Sequence, residues 1–168
     1  NGAIAYAIHN YVRYFDDPQY LVDYGLEVLL GIARFWAQRF NWSEAKQQYV
    51  MLGVTGPNEY ENNVANNWYT NYIGRWCLCY TMEAIEKVRA LAPGRLEEIF
   101  TQAHFRPLEE RDHWEQITKK VYLPWDQERK IYLQQEGYLD KVQQTAAELE
   151  QGERPINQHW SWDRILRS

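Results

Sequence analysis

Three observations predict a mainly α fold with short extended segments in its loops. Apolar residues recur at three- and four-residue spacing over long stretches, those stretches stop at Pro and Gly punctuation, and strand-like runs are only a few residues long. Long antiparallel helices joined by functional loops are the simplest architecture consistent with this pattern.

Ile4, Ile8, Tyr11 and Phe15 form the stripe of a first helix over Gly2 to Phe15, ended by Asp16-Asp17-Pro18. Pro18 is well placed to start a second, which runs to about Arg39 through Val22, Leu26, Leu29, Ala33 and Trp36. Tyr24, Val28, Ile32 and Phe35 extend its apolar surface, which predicts burial on more than one side. Gln47 to Leu52 has strand character and runs into a loop broken by Gly53 and Gly56-Pro57. Asn66 and Asn67 are good caps for a third long helix over Trp68 to Leu91, which Ala92-Pro93-Gly94 ends. Shorter helices follow over Leu96 to Ala103 and Pro107 to about Val121, then an extended Ile131 to Gln134. Thr145 to Arg154 is too polar for core and reads as a mobile loop or short surface helix, before apolar packing resumes at Trp160 to Leu166.

With 168 residues and 45% hydrophobic content, the chain can bury a sizeable core. Its 18 basic and 23 acidic residues are interspersed, so no basic stripe exists for nucleic acid. There is no run of apolar residues long enough for a membrane span, and Asn1-Gly2-Ala3-Ile4 lacks the charged segment of a secretion signal. A cytoplasmic protein without membrane contact is the expectation. Cys77 and Cys79 lie two apart on a helix and point to different faces, which excludes a mutual disulfide and predicts small reduced residues of the interior. The unusual feature is the aromatic content of 8 Trp, 13 Tyr and 5 Phe. Most such rings pack cores, and some stack on the C–H faces of sugars.

The segment from Val54 to Asn71 is the densest functional signal: a Gly-Pro turn, Glu59 between Asn58 and Tyr60, and a run of Asn leading into a helix. Amides that both donate and accept, beside aromatic faces, suit a neutral polyhydroxylated ligand. A carboxyl beside Tyr60 and Trp68 can have its pKa raised, as a general acid near neutral pH requires. Asx-rich loops before helices also serve simply as turns and caps. Glu59 is the candidate general acid. Asn58, Tyr60, Asn66, Asn67, Trp68 and His159 are candidate substrate contacts. Glu61, two residues on, is the local competitor for the acid role.

At these residues the chain resembles glycoside hydrolase family 65, the maltose, trehalose and kojibiose phosphorylases, through Gly56 to Tyr60 and Val64 to Asn71. Asn1 to Ile8, Leu123-Pro124-Trp125-Asp126 and Asn157 to Leu166 are also similar to the family, so the resemblance spans essentially the whole chain. It implies a sector of an (α/α)6 barrel, with the family's N-terminal β-sandwich and C-terminal parts outside residues 1–168. The implied reaction is inverting phosphorolysis of an α-glucosyl disaccharide, maltose first, to β-glucose 1-phosphate and glucose. Glu59, directly after Asn58 as the family's acid is after Asn or Asp, would protonate the departing oxygen, with inorganic phosphate as co-substrate and no cofactor or metal, which leaves Glu61 to support the loop or face solvent. The alternatives are a family hydrolase of trehalose or another α-glucoside, and a noncatalytic helical carbohydrate-binding module. The family's Trp-Glu sugar contacts fall before residue 1, and its Lys-Gln pair and phosphate contacts fall after residue 168. The chain thus reads as an internal segment, inactive alone, of a homodimeric parent.

Overall fold

The computed structural model describes residues 1–168. It is mainly α, as expected. Seven helices are joined by two small hairpins and several 3-10 turns: α1 (Gly2–Phe15), α2 (Leu26–Arg39), β1 (Asn41–Ser43), β2 (Gln48–Val50), α3 (Trp68–Leu91), α4 (Pro93–Gln102), α5 (Pro107–Lys120), β3 (Trp125–Asp126), β4 (Ile131–Tyr132), α6 (Ile156–His159) and α7 (Trp162–Arg167). The chain divides into two compact units, one of residues 1–50 and 71–122, the other of residues 51–70 and 123–168.

The first unit holds the apolar core. Ala5, Ile8 and Val12 of α1, Leu26, Leu29, Leu30 and Ala33 of α2, and Leu78, Ala84, Ile85 and Val88 of α3 are all buried. Helix spacing puts each set on one face. Asp16 in the left-handed region ends α1, with its backbone N–H on the Val12 carbonyl. The second helical run starts as predicted after Pro18, but Leu21–Gly25 is a π turn before α2 proper. A one-residue expansion of this kind leaves the apolar stripe nearly intact, so the pattern does not reveal it. A second departure concerns the outer side of this run: Tyr24, Val28 and Phe35 are exposed, and only Ile32 of that set is buried.

Gly74 is a close-packing point, because a Cβ there would lie 2.9 Å from the Trp36 ring. Thr81 is fully buried and bonds to the Cys77 carbonyl at 2.8 Å, satisfying its hydroxyl within the helix. Cys77 is buried and free, and burial pushes its thiol up to about 12. The strand expected over Gln47 to Leu52 forms as β2, pairing with β1 in the register Trp42↔Tyr49. The Tyr49 carbonyl also accepts from Tyr122 N–H at 2.8 Å, fixing the exit of α5.

The second unit is built from loops. Its β3–β4 hairpin pairs Trp125 with Tyr132, and the Leu133 N–H bonds the Pro124 carbonyl at 2.8 Å. The polar stretch from Thr145 contains two 3-10 turns, Ala146–Glu148 and Gln151–Glu153, the first closed by a capping box between Thr145 and Glu148. Ser161 caps α7 by accepting the Arg164 N–H.

Candidate active site

The loop over Met51 to Asn67 is locked at several points inside the second unit. Val54 and Val64 exchange both backbone hydrogen bonds at 3.0 Å, making a narrow stem. Gly53 has a φ of 62°, and Asn63 and Asn66 also take positive φ, which short polar side chains tolerate. Above the stem, Asn58 accepts the Tyr60 N–H in an Asx turn, and the Glu61 N–H bonds the Asn58 carbonyl at 3.0 Å. The Glu59 backbone carbonyl accepts from the Asn62 side-chain amide at 2.7 Å, while Asn62 Oδ1 accepts from the Thr55 hydroxyl. Glu59 is therefore the central residue of a turn held from both sides.

The Glu59 side chain is exposed and lines a cavity of about 630 Å³. Pro57, Asn58, Tyr60, Asn157, Trp160, Trp162 and Ile165 complete the lining. Tyr60 and Trp162 lie 6.0 Å apart at 47°, and the Arg164 guanidinium sits 4.0 Å over the Trp160 ring, itself paired to Glu153 at 2.5 Å. One ionisable carboxylate among amides and rings is an arrangement able to bind a sugar and pass it a proton. The exposure of Glu59 departs from the expected desolvation against Trp68.

The remaining candidates separate. Asn58 and Tyr60 join Glu59 in this cavity. Asn66 and Asn67 are buried and serve the scaffold. The Asn66 oxygen accepts the Met51 N–H at 2.9 Å, and its amide donates to Glu136 at 2.6 Å. Asn67 accepts the Thr70 N–H at 3.0 Å as the N-cap of α3 and donates to the Gln134 carbonyl at 3.1 Å. Trp68 lines a neighbouring, more apolar cavity of about 460 Å³ with Tyr69, Tyr132 and Gln134, its ring 5.8 Å from that of Tyr132. His159 is exposed on α6 and is outside the lining of the Glu59 cavity. Of the two roles the resemblance left to Glu61, it takes that of the brace and does not face solvent: it is buried, 2.5 Å from Lys141 Nζ and 2.6 Å from the Gln135 amide.

Sequence reasoning missed Asn157, Trp160, Trp162 and Ile165 as cavity residues. The two Trp flanking a helix-capping Ser were the available signal. In the first unit, a cleft of about 340 Å³ lies beside Arg34, Glu110 and His113, but Arg34 is committed to Glu110 and to the Ala103 and His104 carbonyls.

The model of the glycosyl hydrolase family 65 central catalytic domain matches residues 1–168. The chain is 46% identical over its full length to a maltose phosphorylase of Bacillus subtilis (strain 168), covering 21% of that protein. It is 32% identical over 99% of its length to an alpha,alpha-trehalose phosphorylase of Thermoanaerobacter brockii, covering 22% of it. A solved structure provisionally named a kojibiose phosphorylase, from human microbiome, superposes with a TM-score of 0.83 at 28% identity, over 97% of this chain and 23% of that one. The chain thus spans about a fifth of the length of the curated relatives it matches.

Proposed function

The chain belongs to glycosyl hydrolase family 65, as part of its central catalytic domain, and from that premise we propose that it supplies the proton-donating carboxylate of an inverting disaccharide phosphorylase. The observation that carries this reading is Glu59 at the centre of a locked turn, facing a cavity walled by Tyr60, Trp160 and Trp162.

In the proposed reaction an oxygen of hydrogen phosphate attacks the anomeric carbon as the C–O bond to the second sugar breaks. Glu59 gives its proton to the departing oxygen, so the acceptor sugar leaves as a neutral alcohol. The proton carried by the incoming hydrogen phosphate restores the acid. An inverting hydrolase needs a second carboxylate to activate water, whereas phosphate arrives as an anion and needs none. Inorganic phosphate is accordingly the co-substrate, and the proposed chemistry calls for no metal or organic cofactor. Maltose is the proposed disaccharide on the strength of the identity to the maltose phosphorylase, and the Gly56-Pro57 form of the motif favours a maltose or kojibiose type over a trehalose type. A cytoplasmic location accords with a free Cys77 thiol, and no helix of the chain is long and apolar enough to cross a membrane. Homodimerisation is proposed for the full-length parent.

The test is Glu59→Gln in the full-length parent, assayed with maltose, kojibiose, nigerose and trehalose with and without phosphate. A loss of roughly 10²- to 10⁴-fold in phosphate-dependent turnover is expected, the range for removal of a general acid. Unchanged turnover would sink the assignment, and turnover independent of phosphate would favour the hydrolase.

A further inference from the structure

Resting on the phosphorylase reading, we propose that Glu61 is a positioning residue for Glu59, acting through a buried ion pair with Lys141 that ties together the two walls of the cavity. Glu61 is 4% exposed and the Lys141 side chain 10%. The carboxylate receives Lys141 Nζ at 2.5 Å on one oxygen and the Gln135 amide at 2.6 Å on the other. Gln135 is itself buried, so both oxygens are engaged away from water. A buried charge that loses its partner is strongly unfavourable, so the pair holds the segments that carry it in one register.

Those segments are the ones that matter. The Glu61 N–H closes the turn onto the Asn58 carbonyl, across Glu59. On the other side, Lys141 Nζ also donates to the Ser168 carbonyl at 3.3 Å, and the Val142 N–H bonds the Arg167 carbonyl at 2.9 Å. Both acceptors terminate α7, the helix that presents Trp162 and Ile165 to the cavity. One ion pair therefore sets the distance between the acid-bearing turn and the ring-bearing helix. A misplacement of about 1 Å at such a point is enough to cost on the order of 100-fold in rate. The two carboxylates of the turn divide the work: Glu59 is exposed and available, Glu61 buried and committed.

The test compares a leaving group that needs a proton with one that does not. In the full-length parent, phosphorolysis of maltose breaks the C–O bond with proton donation. With α-glucosyl fluoride the C–F bond breaks, fluoride leaves with the bonding electrons, and phosphate forms the same new C–O bond. Glu61→Gln is expected to lower kcat on maltose by about 10- to 100-fold, with KM little changed and fluoride turnover retained. The double variant Glu61→Gln with Lys141→Gln is expected to lose less than the two single effects multiplied, because no unpaired buried charge remains. Equal losses on both substrates, or full kcat on maltose with only a lowered melting temperature, would overturn the proposal. If Glu61→Gln does not fold, Lys141→Arg, which keeps the charge but alters its reach, is read by the same comparison. Glu59→Gln is the separate control: if it shows no preference for the fluoride, the phosphorylase reading itself fails, whatever Glu61 does.

Discussion

A Cβ on Gly56 would fall inside van der Waals contact of the Asn67 amide, the group that caps α3 and bonds the Gln134 carbonyl. One absent methyl group thus lets the loop that bears Glu59 pass over the start of a long helix. Gly56→Ala is expected to destabilise the parent by about 1–3 kcal/mol, the usual effect of overpacking, and to lower kcat with it. Gly94→Ala is the matched control, since nothing lies within 4 Å of a Cβ there. Matching melting temperatures for the two variants would refute the close-approach argument. Asn66 and Asn67 show the same economy at the residue scale, each joining segments far apart in sequence with a single amide.

Among the elements, α2 and α5 are joined by the Arg34–Glu110 pair. Arg34 approaches Glu110 at 2.7 Å through Nε and 2.8 Å through Nη2, and its remaining donors take the Ala103 and His104 carbonyls that end α4. Burial pushes the Glu110 carboxyl up, but the Arg34 hydrogen bond, the Arg106 backbone N–H and both guanidinium charges outweigh it and hold the group below the usual carboxylate range. A depressed folded value means that the stabilisation is present above the ordinary, unfolded value and is lost as pH falls through the folded one. Glu110→Gln should therefore cost about 1–2 kcal/mol at neutral pH, discounted for partial exposure. The gap in melting temperature between variant and parent should close as the solution is acidified. A gap constant with pH would remove the ion pair as its cause.

The element boundaries also show what the sequence made legible. Residues 68–91 were readable as one helix because Asn67 caps the start and Ala92-Pro93 stops the end. Three-residue β1 was not, since it is too short to display alternation. In the candidate site, the turn that carries Glu59 was legible from its Gly-Pro-Asn motif. The burial of Glu61 was not, because the Lys141 and Gln135 that hold it lie 80 and 74 residues on, beyond any local pattern. Asn66 and Asn67 looked like sugar contacts for the same reason: their partners at Gln134 and Glu136 are invisible in a local window.

On the scale of the whole molecule, large apolar side chains remain at the surface: Tyr14 at 80%, Phe15 at 70%, Tyr24 at 66% and Leu108 at 82% exposure. Tyr11, Phe15, Tyr20 and Tyr24 form a continuous aromatic patch, with centroids 4.6 to 5.7 Å apart. Patches of this kind promote association. The chain also spans only about a fifth of the length of the phosphorylases it matches. The 168-residue chain alone is therefore expected to release no glucose 1-phosphate from maltose and to elute above its monomer mass on size exclusion. Release at the parent's rate would contradict this.

The amides of Asn66 and Asn67 carry a consequence for folding order. Each closes a loop of about seventy residues, reaching Glu136 and Gln134 respectively. Closing so long a loop must precede the reward of the contact, and contacts of high sequence separation form late. The backbone ladders within the helices of the first unit, by contrast, close between residues four apart. The turn that bears Glu59 is therefore expected to acquire its shape after those helices, only when the chain near residue 135 has returned to meet it.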